Sequence, residues 1–269
     1  MDSPINPYEP FQPQLDSKIA ASQNIAIKEC PPCDELKGIV YSYLQVTTQG
    51  PLKYKVVPDG MEAFYISPCG VTILGVCRES FEVNIKQSGQ YFGVRFYPGM
   101  LKRFTIDRFP NITTKPRTNE PICRETGDLH TQIYQKAGFD ERAKICDNWL
   151  VQRLSPNQNS KLVEAVNVIF ENKGCILVST LAEKVNLSAR QLNRVFRKHT
   201  GLSTKAMIQT IRVQCACRNT WLSKSPLSEV ALELGYYDQS HFTNDYRRFM
   251  SNTPNGLHSQ MMSDFSNTQ

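Results

Sequence analysis

The last hundred residues of the chain carry one helix-turn-helix pattern twice, about fifty residues apart. The first copy is Leu181-Ala-Glu-Lys-Val-Asn-Leu-Ser-Ala-Arg-Gln-Leu-Asn-Arg-Val-Phe196. The second is Val230-Ala-Leu-Glu-Leu-Gly-Tyr-Tyr-Asp-Gln-Ser-His-Phe-Thr-Asn-Asp-Tyr246. In each, a short helix with a small inward residue, Ala182 or Ala231, runs into a turn residue, Asn186 or Gly235. Asn and Gly are the residues that best tolerate a left-handed backbone. A second helix then begins behind Ser188 or Asp238, whose side chains accept from free N–H groups at a helix start. A helix pair of this kind pushes its second helix into a DNA major groove. One copy alone is a weak motif, whereas two in series are a strong one.

The exposed faces of the two second helices have matching chemistry. In the first, Leu192, Val195 and Phe196 form an inward stripe, and Arg190, Asn193, Arg194 and Arg197 recur on the opposite side. Arg can take guanine O6 and N7, and Asn can take adenine N6 and N7. In the second, Phe242, Tyr246 and Phe249 point inward, while Gln239, Ser240, Thr243, Asn244 and Arg247 point out. Asp245 opposes phosphate binding unless it faces the protein. Any amphipathic surface helix has a polar face, but here both faces occupy the same place in a repeat. Between the copies, Ser203 to Leu222 reads as one helix, with Ile208, Ile211, Cys215 and Leu222 as its apolar stripe. Twenty helical residues span about 30 Å, close to the roughly 34–36 Å between successive major grooves on one side of B-DNA.

Residues from about Leu162 to Leu257 resemble the DNA-binding domain of the AraC/XylS family of bacterial transcription regulators. The resemblance rests on Ala231-Leu-Glu-Leu-Gly235, Asp238-Gln-Ser-His-Phe242, Tyr246-Arg-Arg248 and Thr253-Pro254. It extends to Ala182, Ser188, Leu192, Arg194, Phe196 and Gly201 in the first copy and to Arg212 and Ala216 in the linker. Asn186, Asn244, Ser251 and Leu257 depart from the residues common in that family, and Asn244 replaces an Arg that would supply one DNA contact.

Charge follows the same division. Residues 160–259 hold 13 Lys and Arg against 7 Asp and Glu, whereas residues 1–159 hold 18 against 17. The basic excess therefore lies in the reading half, as phosphate attraction requires. A chain of 269 residues suits two domains. No run of about 18 apolar residues and no signal peptide is apparent, so a cytoplasmic, nucleoid-associated protein with no membrane partner is expected. Nine scattered Cys fit a reducing compartment.

Of 16 Pro, only Pro156, Pro226 and Pro254 lie beyond residue 150, so the front half is turn-rich. Pro4, Pro7, Pro10 and Pro13 could form a polyproline II ridge, although a loosely packed tail over residues 1–35 is the simpler reading. Strands are expected at Ile39–Val46, Tyr54–Val57, Ala63–Ile66, Val71–Val76, Phe81–Ile85 and Tyr91–Tyr97. Pro58-Asp59-Gly60 is a turn among them. Such spacing suggests a small barrel or sandwich. Asp128–Leu154 reads as two helices broken near Gly138, with Ile133, Ala137, Ile145, Trp149 and Leu150 apolar. The stretch Val57-Pro-Asp-Gly60 and the later Gly93-Val-Arg-Phe-Tyr-Pro-Gly99 resemble an N-terminal domain found in part of the family.

The expected fold is therefore α+β in two domains. A β-rich, cupin-like barrel or sandwich with its helical segment (128–154) occupies 36–156, and an all-α domain with two helix-turn-helix motifs joined by a linker helix occupies 160–259. The resemblance implies a sequence-specific transcription regulator, an activator, with double-stranded DNA as partner. It also implies contact with RNA polymerase, a small effector or regulatory protein at the front domain, and a role for the 128–154 helices as either a homodimer contact or a packing brace against the DNA-binding half. Glu62 and Arg95 are charges within apolar strands. Alternation places both on the solvent face, whereas an inward residue would need a partner and would be the first ligand-anchor candidate. Cys30-Pro-Pro-Cys33 supports an alternative, a redox or metal sensor or an enzyme fused to a DNA reader. No second ligand pair follows nearby and no phosphate loop is present, so no cofactor, metal or enzymatic activity is expected.

Overall fold

Runs of β-branched and aromatic residues between Ile25 and Phe96 form seven strands in the computed structural model, which describes residues 8–15, 25–104, 124–156, 160–222, 226–254 and 256. They are β1 (Ile25–Cys30), β2 (Val40–Thr48), β3 (Leu52–Val56), β4 (Glu62–Ser67), β5 (Gly70–Leu74), β6 (Phe81–Ile85) and β7 (Gly89–Phe96). Five make one antiparallel sheet in the order β1-β2-β7-β4-β5, and β3 pairs with β6. All six expected strands appear, and β1 is an addition. It lies inside the stretch 1–35 expected to be a tail, and forms an edge strand in register with β2, from Ile25 opposite Thr48 to Cys30 opposite Tyr43.

The rest of that tail also departs from expectation. Residues 8–15 pack against both halves of the chain, ending in a short 3-10 turn at Pro13–Leu15. Tyr8 is buried and its hydroxyl donates to Asp59 O at 2.7 Å. Gln12 exchanges two bonds with the Val57 backbone, at 2.8 and 3.0 Å. Phe11 meets Trp221, and Glu9 pairs with Arg218. Aromatic burial and side-chain amides matched to strand backbone hold this segment, which polar composition alone would leave loose. Pro4 and Pro7, the first half of the proline period, lie outside the described residues.

Two helices then brace the sheet, α1 (Arg124–Tyr134) and α2 (Phe139–Val151). The Tyr134 hydroxyl donates to Ile66 O and Gln90 O, Arg142 to Gln45 Oε1 at 2.7 Å, and the Tyr43 hydroxyl to Asp147 Oδ1 at 2.7 Å. These polar groups are buried or half-buried, so losing a partner would leave a desolvated donor. Ile133, Trp149 and Leu150 are buried as expected, whereas Ala137 is exposed at the break.

The helical half comprises α3 (Ser160–Glu171), α4 (Val178–Lys184), α5 (Ala189–Thr200), α6 (Thr204–Leu222), α7 (Leu227–Glu233) and α8 (Gln239–Met250). One apolar cluster runs unbroken from Phe64 and Phe96 of the sheet to Leu162, Phe170, Phe196, Ile208 and Ile211. The first helix-turn-helix copy therefore shares a core with the β half. The second copy has its own core of Val213, Ala216, Cys217, Val230, Phe242 and Tyr246, which also takes in Val57 from the β half. Helix α6 lies between the two cores, so it is buried on more than the single stripe expected. Ile208 and Ile211 are buried and Cys215 half-buried, but Leu222 is 59% exposed because the helix end passes beyond the second core. After α3, Gly174 has φ +72°, and a Cβ there would lie 2.5 Å from Arg212 N and 2.6 Å from Ile208 O. Only glycine lets this turn approach α6 so closely.

Candidate nucleic-acid interface

Each reading helix begins with the cap its sequence announces. Ser188 Oγ accepts from Gln191 N at 3.2 Å while Gln191 Oε1 accepts from Ser188 N at 2.9 Å, a reciprocal capping box. Asp238 Oδ1 accepts from His241 N at 2.7 Å at the start of α8. The turns before them use a left-handed residue, Asn186 at φ 54° and Gly235 at φ 69°. Asn therefore does in the first copy what Gly does in the second. Ser251, the other departure on a family glycine position, also adopts φ 53°.

Leu192 and Phe196 of α5, and Phe242, Tyr246 and Phe249 of α8, are buried as expected. On the opposite side Arg190, Arg194 and Arg197 are exposed, one helical turn apart. Asn193 differs from them: it is half-buried, and its Oδ1 accepts from Thr204 N at 3.2 Å. It thus caps the first turn of α6, while its Nδ2 group keeps two donors for a partner. On α8, Gln239, Ser240, Asn244 and Arg247 are exposed and Thr243 is half-buried. Asp245 is half-buried, so it does not stand fully on the exposed face. Sequence reading passed over His241, Arg248 and Tyr237, which share this surface; Tyr237 is 91% exposed at the turn. Their signal was position alone, next to the cap and one turn beyond Asn244.

The β half holds a small cleft of about 30 Å³, room for one or two waters, between β3, β4, β5 and β7. Val56, Met61, Ala63, Leu74 and Phe81 supply apolar walls, and Tyr65, Asp59 and Arg95 the polar groups. Alternation would place Arg95 in solvent, but its side chain is 12% exposed. It pairs with Asp59 at 2.8 Å and Glu29 at 3.5 Å, over the Tyr41 ring. Burial alone would lower its pKa, yet Asp59 and Glu29 hold it above the ordinary value. Glu62 is a second correction. It is fully buried, because β4 is covered on both faces. Its Oε2 accepts from Leu101 N at 2.9 Å, and among the described residues Oε1 has no partner within hydrogen-bond geometry. Burial raises its pKa to about 8, against the opposing pull of the Leu101 amide and Lys102.

Cys30 and Cys33 are half-buried free thiols. Burial and the Glu35 and Asp147 carboxylates push Cys33 up to about 11, the opposite of an activated thiolate. Among the described residues no three His, Cys, Asp or Glu are grouped to hold a metal, and no helix is long and apolar enough to cross a membrane.

Comparison with known proteins agrees with this geometry. A helix-turn-helix domain family matches residues 181–260, and a domain of unknown function matches residues 28–114. The chain is 30% identical over 123 residues to the XylDLEGF operon transcriptional activator 2 of Pseudomonas putida, covering 41% of this chain and 78% of that protein. It is 36% identical over 146 residues to the HTH-type transcriptional regulator GlxA of Rhizobium meliloti, covering 48% of this chain and 44% of GlxA. The Msm operon regulatory protein of Streptococcus mutans is 27% identical over 225 residues, 78% of this chain and 76% of that one. Alignments to the first relatives thus span less than half of their lengths, 44% for GlxA and 30% for a RhaS activator of Pectobacterium carotovorum.

Proposed function

The chain belongs to the AraC/XylS family, and on that premise we propose that it is a sequence-specific transcription regulator that reads two successive major grooves with α5 and α8. One observation carries this reading: two capped helices of equal length present exposed cationic and amide side chains at the same place in a repeated motif. Arg190, Arg194 and Arg197 supply guanine and phosphate contacts in the first copy, with the free Nδ2 of Asn193 beside them. Gln239, Ser240, Thr243, Asn244 and Arg247 supply the second set, with different base preferences. Helix α6, 19 residues long, spans about 28 Å and holds the two copies apart.

The relative from Pseudomonas putida is an operon activator by name, which supports activation and contact with RNA polymerase for this chain. The β half is the sensing unit, with the Arg95–Asp59 cleft as the place where a small effector would act. Arg95 is already neutralised there by two carboxylates, so an effector would have to displace one of them. A homodimer and a cytoplasmic location complete the reading.

Selection of duplexes from a random pool by the full chain, followed by gel shifts with Arg194→Ala, tests the proposal. The substitution is expected to cost about 1–3 kcal/mol of specific binding and to relax one base position. Recovery of no preferred sequence would overturn the function, and an unchanged base preference would remove Arg194 from the reading set.

A further inference from the structure

The C-terminal end of α5 gathers cations from both halves of the chain. Arg197, Lys198 and His199 belong to its last turn. From the β half, Lys102 Nζ donates to Lys198 O, and Arg78 Nη2 donates to Gly201 O at 2.9 Å. The last carbonyls of a helix carry partial negative charge, which accounts for one bond from each cation. Most of their capacity is left over. An ammonium has three donors and a guanidinium five, and Lys102, Arg78, Arg197 and Lys198 are all exposed. Glu79 is exposed beside Arg78 and offsets part of that charge, so Lys102 is the stronger of the two.

The backbone that carries Lys102 is fixed from two sides. Lys102 sits in the 3-10 turn Leu101–Arg103. The buried Glu62 carboxylic group accepts from Leu101 N at 2.9 Å and pins the turn to the sheet. Gly99, at φ +76°, lets the same stretch press against the helices, because a Cβ there would lie 2.4 Å from Leu162 Cδ2 and 3.2 Å from His199 Cβ. His199 shows how close the cations are: burial and the Lys102 and Lys198 charges lower its pKa. Like charges held together in this way repel one another, and an anion is the partner that relieves them. The exposed ladder of Arg190, Arg194 and Arg197 runs along α5 into its last turn, over a helix about 18 Å long. The major groove is about 12 Å wide, so a duplex that takes in this ladder brings its phosphates within a side chain's length of the helix flanks.

We propose that the β half itself touches DNA: Lys102, with Arg78 across the same helix end, binds phosphates beside the groove that α5 reads. The inference rests on the reading of α5 as a groove-bound helix and extends the footprint from the helical half to the β half. A phosphate contact is blind to sequence and carries salt dependence, which separates it from the base readers on α5.

The test uses the full chain, a duplex selected from a random pool by the wild-type protein, and the same duplex with one half-site scrambled, with affinity measured from about 50 to 200 mM salt. K102Q is expected to lower the slope of log affinity against log salt by about 0.9. It should also weaken both duplexes by the same factor, roughly two- to fivefold at the lower salt. K102R keeps the charge and should keep the slope. R78Q should lower the slope less than K102Q does, and K28Q, on the edge strand β1, should leave it unchanged. A folded K102Q with the wild-type slope overturns the contact, as does an equal loss of affinity in K102R, since either outcome leaves Lys102 only a brace for α5. If K102Q loses its helical circular dichroism, R78Q decides by the same slope. An unchanged slope in these variants alongside a relaxed base preference in R194A overturns the β-half contact alone. A wild-type chain that selects no sequence overturns the groove reading and this inference with it.

Discussion

Tyr8 stacks on Phe170 with ring centroids 4.3 Å apart and planes 8° from parallel. The contact joins the N-terminal segment to α3 of the helical half across 162 positions of sequence. The Tyr8 hydroxyl meanwhile bonds Asp59 O, and Asp59 Oδ2 accepts from both Gln12 Nε2 at 2.9 Å and Arg95 Nη2 at 2.8 Å. The segment therefore ties the reading half to the polar end of the cleft. Tyr8→Ala removes a buried ring and leaves a cavity, and is expected to destabilise the chain by about 3–5 kcal/mol. Tyr8→Phe should lose only about 1 kcal/mol, the value of one hydrogen bond. Urea unfolding measures both, and near-equal costs would mean that the stacking contributes little.

Glu62 makes stability depend on pH. In the unfolded chain its carboxyl has the ordinary value of about 4.5, and in the fold burial, which disfavours the charged form, pushes it up to about 8. Between these values the folded chain holds a proton that the unfolded chain has released. The contribution is thus fully present below about pH 4.5 and is lost as pH rises through 8, with a slope of up to about 1.4 kcal/mol per pH unit. Glu62→Gln keeps an acceptor for Leu101 N and removes the titration. Denaturant unfolding at pH 5.5 and 8.5 should show a shallower pH dependence for the variant, and parallel pH profiles would contradict the assignment.

Asn193 and Arg194 are neighbours with separable roles. Asn193→Ala removes the cap on Thr204 N and is expected to cost about 1 kcal/mol of stability. Arg194→Ala, at an exposed position, should leave the unfolding midpoint within about 0.5 kcal/mol of wild type and act on DNA affinity alone. Equal stability losses in the two variants would place Asn193 outside the capping role.

Features set by local chemistry were legible before the fold was known. Ser188 with Gln191, Asp238 with His241, and the left-handed Asn186 and Gly235 are all decided within a few residues of sequence. Those set by distant partners were not. Tyr8 and Phe11 look like stray aromatics among prolines until Phe170 and Trp221 are placed beside them. Alternation misplaced Glu62 and Arg95 because it presumes one solvated sheet face, and β4 has none at Glu62. Asn193 carries the chemistry of a base reader and also of a cap, and only the position of Thr204 shows that the cap takes its oxygen.

The spacing of the two helix pairs gives the most specific prediction for DNA. Helix α6 is continuous over 19 residues, without Pro or Gly, and packed between two cores, so it cannot bend to follow a displaced site. The half-sites should differ in sequence, since Arg190, Arg194 and Arg197 present different chemistry from Gln239, Ser240 and Asn244. Inserting about five base pairs between them turns one groove to the far side of the duplex, half a helical repeat away. Affinity should then drop to that of the duplex with one half-site scrambled. Inserting about ten base pairs restores the face but adds about 34 Å, beyond the reach of α6, and should not rescue binding. Two readers on a flexible tether would recover affinity on the longer insertion, so gel shifts across the three duplexes distinguish the models, and full binding to either insertion would rule out the rigid spacer.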